Sequence, residues 1–224
     1  MEDTSQNKKE LTIPIGTISL KGNLDIPEGA RGIVLFAHGS GSSRFSPRNR
    51  YVAGVLNDSG LATLLFDLLT EEEERIDMIT AELRFDIKLL ANRLAQVTDW
   101  IINNPSTKDL KVGYFGASTG AAAALIAASL NPDIIYAIVS RGGRPDLAGA
   151  ALPNVKAPTL LIVGGNDQPV IEMNEDALKQ IPAEKQLVII PGATHLFEEP
   201  GALEEVARLA KDWFINYLVP IPGD

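Results

Sequence analysis

The chain of 224 residues contains no cysteine, which excludes disulfides, thiolate nucleophiles and cysteine-ligated zinc or iron-sulfur centres together. An oxidising compartment is therefore not called for. Histidine is nearly as scarce. Only His38 and His195 occur, neither within an HExxH helix, so a histidine-rich metal site is excluded and neither metal nor cofactor is expected. Long apolar runs are also missing. No stretch is long enough to span a bilayer, and Met1 to Glu10 is polar and charged, without the apolar segment of a signal peptide. The expectation is a cytoplasmic protein with no membrane partner. Positive charge is in deficit: 20 Lys and Arg against 29 Asp and Glu give a formal net charge of −9. That balance opposes binding to a phosphate backbone, so no nucleic-acid partner is expected. No linker of distinct composition and no internal repeat breaks the chain, which reads as one domain over 1–224 with 1–10 as a flexible N-terminus.

What is present is ordinary globular material, 45% hydrophobic and 22% charged. Leu11 to Pro27 alternates and carries turn residues at Gly16, Gly22 and Asn23, as antiparallel opening strands do. Beyond it the texture changes to short, nearly continuous apolar runs: Ile33 to Phe36, Leu64 to Phe66, Val112 to Phe115, Ile134 to Val139, Leu160 to Val163 and Leu187 to Ile190. Such runs suit strands covered on both faces. Between them, Leu83, Ile87, Leu90, Leu94, Val97 and Ile101 recur at gaps of four and three, one apolar stripe of a helix that Asn103-Asn104-Pro105 ends. Ser46-Pro47 reads as a helix start, and a last helix spans about 203–218, with Trp100, Trp213 and Tyr217 counted as core. Strand and helix alternate. The expected fold class is α/β, a mostly parallel sheet with helices on both faces, whose ligands bind beyond the carboxyl ends of the strands.

Four strand-end loops carry the chemistry. Gly116-Ala117-Ser118-Thr119-Gly120 lies between a strand and an alanine-rich helix, the context of a nucleophile elbow. Alone it could be a small-residue turn that packs a helix on a strand. Asp167 follows the strand Leu160 to Val163, and His195 follows the strand Leu187 to Ile190. Taken singly, the aspartate could cap the next helix and the histidine could be a hydrogen-bonded loop residue. The three in the order Ser, Asp, His, each at a strand end, point instead to a nucleophile, an orienting acid and a general base. The fourth loop, His38-Gly39-Ser40-Gly41, would supply the backbone N–H of Ser40, together with that of Thr119, to an oxyanion. His38 reads as a structural brace. A dinucleotide loop is excluded, since Gly39-x-Gly41 is followed by Arg44 where a third glycine is required.

On these four motifs the chain resembles the α/β-hydrolase superfamily over nearly its whole length, and within it the small, lidless dienelactone hydrolase-like group. One departure matters: dienelactone hydrolases carry cysteine as the nucleophile, whereas this chain has Ser118. The resemblance therefore implies hydrolysis of ordinary carboxylic esters through an acyl-serine. A thioesterase or acyltransferase would use the same triad, and a non-catalytic binding module could use the same fold.

Substrate clues are fewer. Only Ser140 to Pro158 separates two strands where relatives insert a helical cap, so the site should be open and suited to a small, soluble ester. Arg141 and Arg144 lie at a strand end and could clamp a carboxylate or phosphate, or pair with Asp146 or another acid. Phe45, after the oxyanion loop, could wall the pocket or merely enter a helix. Glu71 to Glu74 reads as an exposed helix start, not a cation site. The oligomeric state, monomer or homodimer, is left open.

Overall fold

The computed structural model describes residues 8–219, so most of the expected flexible N-terminus lies outside the described residues. Lys8 to Glu10, however, already belong to a strand. The elements run β1 (Lys8–Ile15), β2 (Ile18–Asp25), β3 (Gly32–Ala37), α1 (Pro47–Asp58), β4 (Ala62–Phe66), α2 (Glu71–Thr80), α3 (Ile87–Asn103), β5 (Lys111–Ala117), α4 (Thr119–Leu130), β6 (Ile135–Arg141), β7 (Thr159–Gly164), α5 (Gln168–Gln180), β8 (Lys185–Ile190) and α6 (Ala202–Leu218). Eight strands form one sheet in the order β1-β2-β4-β3-β5-β6-β7-β8. β1 pairs antiparallel with β2, and β2 antiparallel with β4, while every pairing from β4 to β8 is parallel. The fold is that of an α/β-hydrolase without a lid.

The continuous apolar runs are explained by cover on both faces: β3, β4 and β7 are buried at every position. Successive residues alternate between two cores. Leu35, Leu64, Tyr114 and Ile138 face Leu90, Leu94 and Val97 of α3 and the alanines of α4. Val34, Phe36, Phe115 and Val139 face Val52 and Leu56 of α1 and Val206, Ala210 and Phe214 of α6. Among the described residues, no helix is long and apolar enough to cross a membrane.

Several local expectations hold with their causes visible. Ser46 caps α1, its Oγ accepting the Asn49 N–H at 3.3 Å. α3 stops at Asn103 because Asn104, which precedes Pro105, is extended at ψ 128°. Others need correction. Leu83 belongs not to α3 but to a separate 3-10 turn, Leu83–Phe85. Asp77 takes the N–H groups of Leu83 and Arg84, and Asp86 caps Leu89, so the helix restarts there. Gly22 and Asn23 are not turn residues but lie inside β2, where a Cβ on Gly22 would come within 3.1 Å of Leu64. Trp100, Trp213 and Tyr217 are half-buried at the margins of the cores. Thr70 caps α2 reciprocally with Glu73, and Glu73 also binds Arg93 at 2.6 Å, so this acid is not merely solvated. Between β6 and β7 the chain makes only a short 3-10 segment, Pro145–Asn154.

Candidate active site

From β3 the sheet grows in one direction through β4 and in the other through β5, so strand order reverses between β3 and β5. A crevice opens there beyond the carboxyl ends of the strands. The loop after β3 carries His38 to Gly41, and the turn after β5 carries Ser118.

Ser118 has φ 51° and ψ −122°, a conformation that L residues avoid. The turn is sharp because its flanking positions have no room for a side chain. A Cβ on Gly116 would lie 2.4 Å from Ala121 Cα, and one on Gly120 would lie 2.1 Å from Ala37 O. The glycines let β5, α4 and the end of β3 close on one another, and Ser118 is the residue left projecting. Its N–H donates to Arg141 O at 3.2 Å, which ties the elbow to the end of β6.

Asp167 immediately precedes α5 but makes no side-chain cap to it. Its Oδ2 instead lies 2.7 Å from His195 Nδ1. The two loops that deliver these residues are packed backbone to backbone. Gly165 N–H donates to Ile190 O at 2.8 Å, Asn166 N–H to Ala193 O at 2.9 Å, and a Cβ on Gly164 would meet Ala193 O at 2.5 Å. Beyond the histidine, Phe197 is buried with φ 56°, and Glu199 accepts both the N–H and the hydroxyl of Thr194. The histidine loop is thus fixed from both sides.

Hydrogen bonding at Nδ1 leaves Nε2 of His195 as the ring's second functional nitrogen. Ser118 and His195 both approach the end of β6, with no hydrogen bond between their side chains: Ser118 is bonded to Arg141, and a Cβ on the next residue, Gly142, would stand 3.5 Å from His195 Cε1.

The loop after β3, expected to serve an oxyanion, differs in detail from expectation. Thr119 begins α4, where helical geometry supplies its N–H with no acceptor. The Ser40 N–H, by contrast, donates to Thr119 Oγ1 at 2.9 Å. The two hydroxyls are 2.8 Å apart, and Ser40 Oγ donates onward to Arg84 O at 2.9 Å. In this state the Ser40 N–H is engaged inside the protein. His38 has both ring nitrogens occupied: Nδ1 sits 2.9 Å from Gly39 O, and Nε2 accepts the Leu68 N–H at 3.1 Å. Burial pushes its pKa below 6.5 and outweighs the carbonyl of Gly39 and the charges of Asp67 and Glu74. A ring bound on both edges braces the loop.

The remaining candidates separate clearly. Arg144 forks onto Asp146 at 2.9 and 2.8 Å on the surface. Phe45 is 54% exposed, with the Arg44 guanidinium 4.2 Å above its ring. Arg44 is pinned to Asp67, the residue after β4, by backbone and side chain. Arg141 is 8% exposed and pairs with no carboxylate among the described residues. Sequence reasoning placed Arg48 only within a segment, Arg44 to Arg50, that could wall the pocket or enter a helix, and not beside Arg141, whose neighbourhood it shares from the first turn of α1; it missed Asp77, which binds Arg84 beneath the loop after β3. Asp77 sits near no recognisable motif. A cavity of about 190 Å³ flanks Gly39, Ser40 and Arg84, walled on its far side by Asp77 and Met78.

Known proteins resemble the chain to different depths. The solved structure of a dienelactone hydrolase from Anabaena variabilis superposes with a TM-score of 0.93 at 66% identity, covering 95% of this chain and all of that one. A serine hydrolase without a lid from Xanthomonas campestris matches with a TM-score of 0.75 at 20% identity, over 97% and 98% of the two chains, a likeness of fold. A Mycobacterium tuberculosis protein provisionally named a phosphoribosyl transferase is 59% identical over 216 residues, 96% of this chain but 48% of its own length. The chain thus spans about half of the curated relatives it matches. The model of the dienelactone hydrolase family matches residues 21–217, from β2 into α6 and through all four strand-end loops, and the chain belongs to that family.

Proposed function

We propose that the protein is a serine hydrolase that cleaves carboxylic esters of small, soluble substrates through an acyl-Ser118 intermediate. The observation that carries this reading is the pairing of Asp167 with His195 Nδ1 at 2.7 Å, taken with the strained turn at Ser118. His195 Nε2 takes the hydroxyl proton as Ser118 Oγ attacks the ester carbonyl, and returns it to the leaving alcohol as the tetrahedral intermediate collapses. Water then attacks the acyl-serine by the same route, releasing the acid. Asp167 keeps the proton of His195 on Nδ1 and stabilises the transient imidazolium.

The oxyanion falls to the Thr119 N–H, aided by the positive end of α4, with the Ser40 N–H as second donor. That second donation requires Ser40 to exchange Thr119 Oγ1 for the oxyanion. The short connection between β6 and β7 leaves the site open, which favours small, soluble esters.

The tuberculosis relatives carry the name of a transferase. Phosphoribosyl transfer itself displaces pyrophosphate at a sugar carbon and has no use for an acyl-serine. We assign that named activity to the half of those proteins that this chain does not span.

A fluorophosphonate probe tests the proposal. Labelling of the native chain that disappears in Ser118→Ala is expected, as is faster turnover of p-nitrophenyl acetate and butyrate than of long-chain esters. Equal labelling of the variant removes Ser118 from the nucleophile role.

A further inference from the structure

Arg141 is the last residue of β6, registered opposite Ala117 on one side and Ile162 on the other. Its carbonyl holds the Ser118 N–H, and Gly142 after it packs on His195. The residue is therefore wedged between the candidate nucleophile and base. Its side chain reaches the first turn of α1, where Nη2 makes one long contact of 3.4 Å with Asn49 Oδ1. Nε and Nη1 are buried and have no acceptor among the described residues.

The charge beside it has the same sign. Arg48 Nε is likewise buried without an acceptor, and Arg48 Nη1 reaches Glu198 only at 3.5 Å. Burial lowers the Arg141 pKa to about 10, and the Arg48 charge acts in the same direction. The group still carries its proton at neutral pH. Elsewhere the chain pairs its partly buried arginines: Arg44 with Asp67, Arg84 with Asp77 and Arg93 with Glu73. Buried cations are normally paired, and leaving one unpaired is costly. At the β6 end, three orphaned nitrogen donors on two guanidinium groups face no anion among the described residues.

We infer that Arg141 and Arg48 form a subsite beside Ser118 for a phosphoryl group carried by the ester substrate. A planar carboxylate would be satisfied by the fork of one guanidinium, whereas a tetrahedral dianion has the charge and the acceptor directions for two. The N-terminus of α1 adds its dipole at the same place. Glu198 holds Arg48 weakly, so entry of the anion exchanges one partner of Arg48 for another.

The inference rests on the ester-hydrolase reading, and its test separates the two. p-Nitrophenyl esters of matched length, with acyl chains ending in methyl, carboxylate or phosphonate, are compared by kcat/KM within each protein. The native chain should favour phosphonate over methyl by about tenfold or more, the scale of a lost charged hydrogen bond. In Arg141→Met and in Arg48→Gln that ratio should fall to about one or below. Taking the ratio within a variant cancels general damage, and Arg48, on the surface side, serves if Arg141→Met does not fold. Calorimetry of inorganic phosphate with Ser118→Ala reads the subsite without turnover. Binding is expected, with at least tenfold weakening when Arg141→Met is added. Absence of phosphate binding, ratios that neither variant moves, or a carboxylate ester that outranks the phosphonate would each overturn the subsite. Failure of Ser118 to react would instead overturn the hydrolase reading, and calorimetry would still decide the anion site.

Discussion

Asp167 occupies the residue before α5, where a carboxylate ordinarily caps the helix, yet its Oδ2 turns away to lie 2.7 Å from His195 Nδ1. The helix forgoes its cap, a sacrifice of about 1 kcal/mol. A side chain released from a stabilising local role is being held for another. Asp167→Asn should keep the fold and lower kcat on p-nitrophenyl acetate by roughly three to four orders of magnitude, because the amide favours the wrong imidazole tautomer. A loss below tenfold would leave Asp167 a structural residue.

Thr119 ties the elbow to the oxyanion loop through the Ser40 N–H and hydroxyl. On the proposed reading, removing its hydroxyl lets Ser40 drift from the elbow and from the oxyanion. Thr119→Ala should lower kcat about tenfold with little change in KM, the scale of one hydrogen bond, because the Ser40 hydroxyl loses the partner that holds the loop against the elbow. Thr119→Ser should restore most of it. A variant that raises KM alone would place Thr119 in substrate binding.

Beneath that loop, Asp77 is nearly inaccessible and receives the Leu83 N–H, the Arg84 N–H and Arg84 Nε. These bonds set Arg84 O against Ser40 Oγ. Asp77→Ala should cost about 3 kcal/mol in urea denaturation, since it strands a part-buried guanidinium and two N–H groups. A change under about 0.5 kcal/mol, the range of ordinary surface substitutions, would show the cluster to be incidental.

Periodicity and chain order made the parallel sheet, the elbow and the order of the candidate triad legible, because each depends on residues adjacent in sequence. The apolar run Leu160 to Val163 announces a buried strand wherever it sits in the sheet. Contacts between distant elements were not legible. Nothing in Arg84 or Asp77 shows that they support Ser40, more than 30 positions away. Arg141 and Arg144, three residues apart, look equivalent in sequence. Their difference arises because β6 turns Arg141 inward against α1, while Arg144 already stands outside beside Asp146. The helix stripe that took in Leu83 failed for a related reason. Spacing alone cannot reveal that Asp77 captures the N–H groups of Leu83 and Arg84.

Gly120 is the tightest point in the elbow, with room for no side-chain atom against Ala37 O at 2.1 Å and His38 O at 2.6 Å. Both obstacles are backbone and cannot rotate aside. Gly120→Ala should cost more than about 3 kcal/mol, beyond ordinary overpacking, and abolish fluorophosphonate labelling with it. Gly54, with open space around it, is the control: Gly54→Ala should be neutral or stabilising by up to about 1 kcal/mol. Equal effects at the two positions would remove steric closure as the reason for the motif.

His38 links the oxyanion loop to pH. Its folded ring is neutral, because Nε2 must accept the Leu68 N–H and burial disfavours the charge. In the unfolded chain it protonates near 6.5, in the folded chain only at lower pH. Below 6.5 the unfolded state therefore binds more protons, and stability falls as pH falls. The contribution is complete above that value and disappears as pH drops through the depressed folded pKa. Urea midpoints measured from pH 8 to 5 should decline in the native chain and decline less in His38→Gln, which should itself be less stable at pH 8. Parallel curves for the two proteins would mean that other groups carry the pH dependence and that the His38 ring titrates no differently when folded.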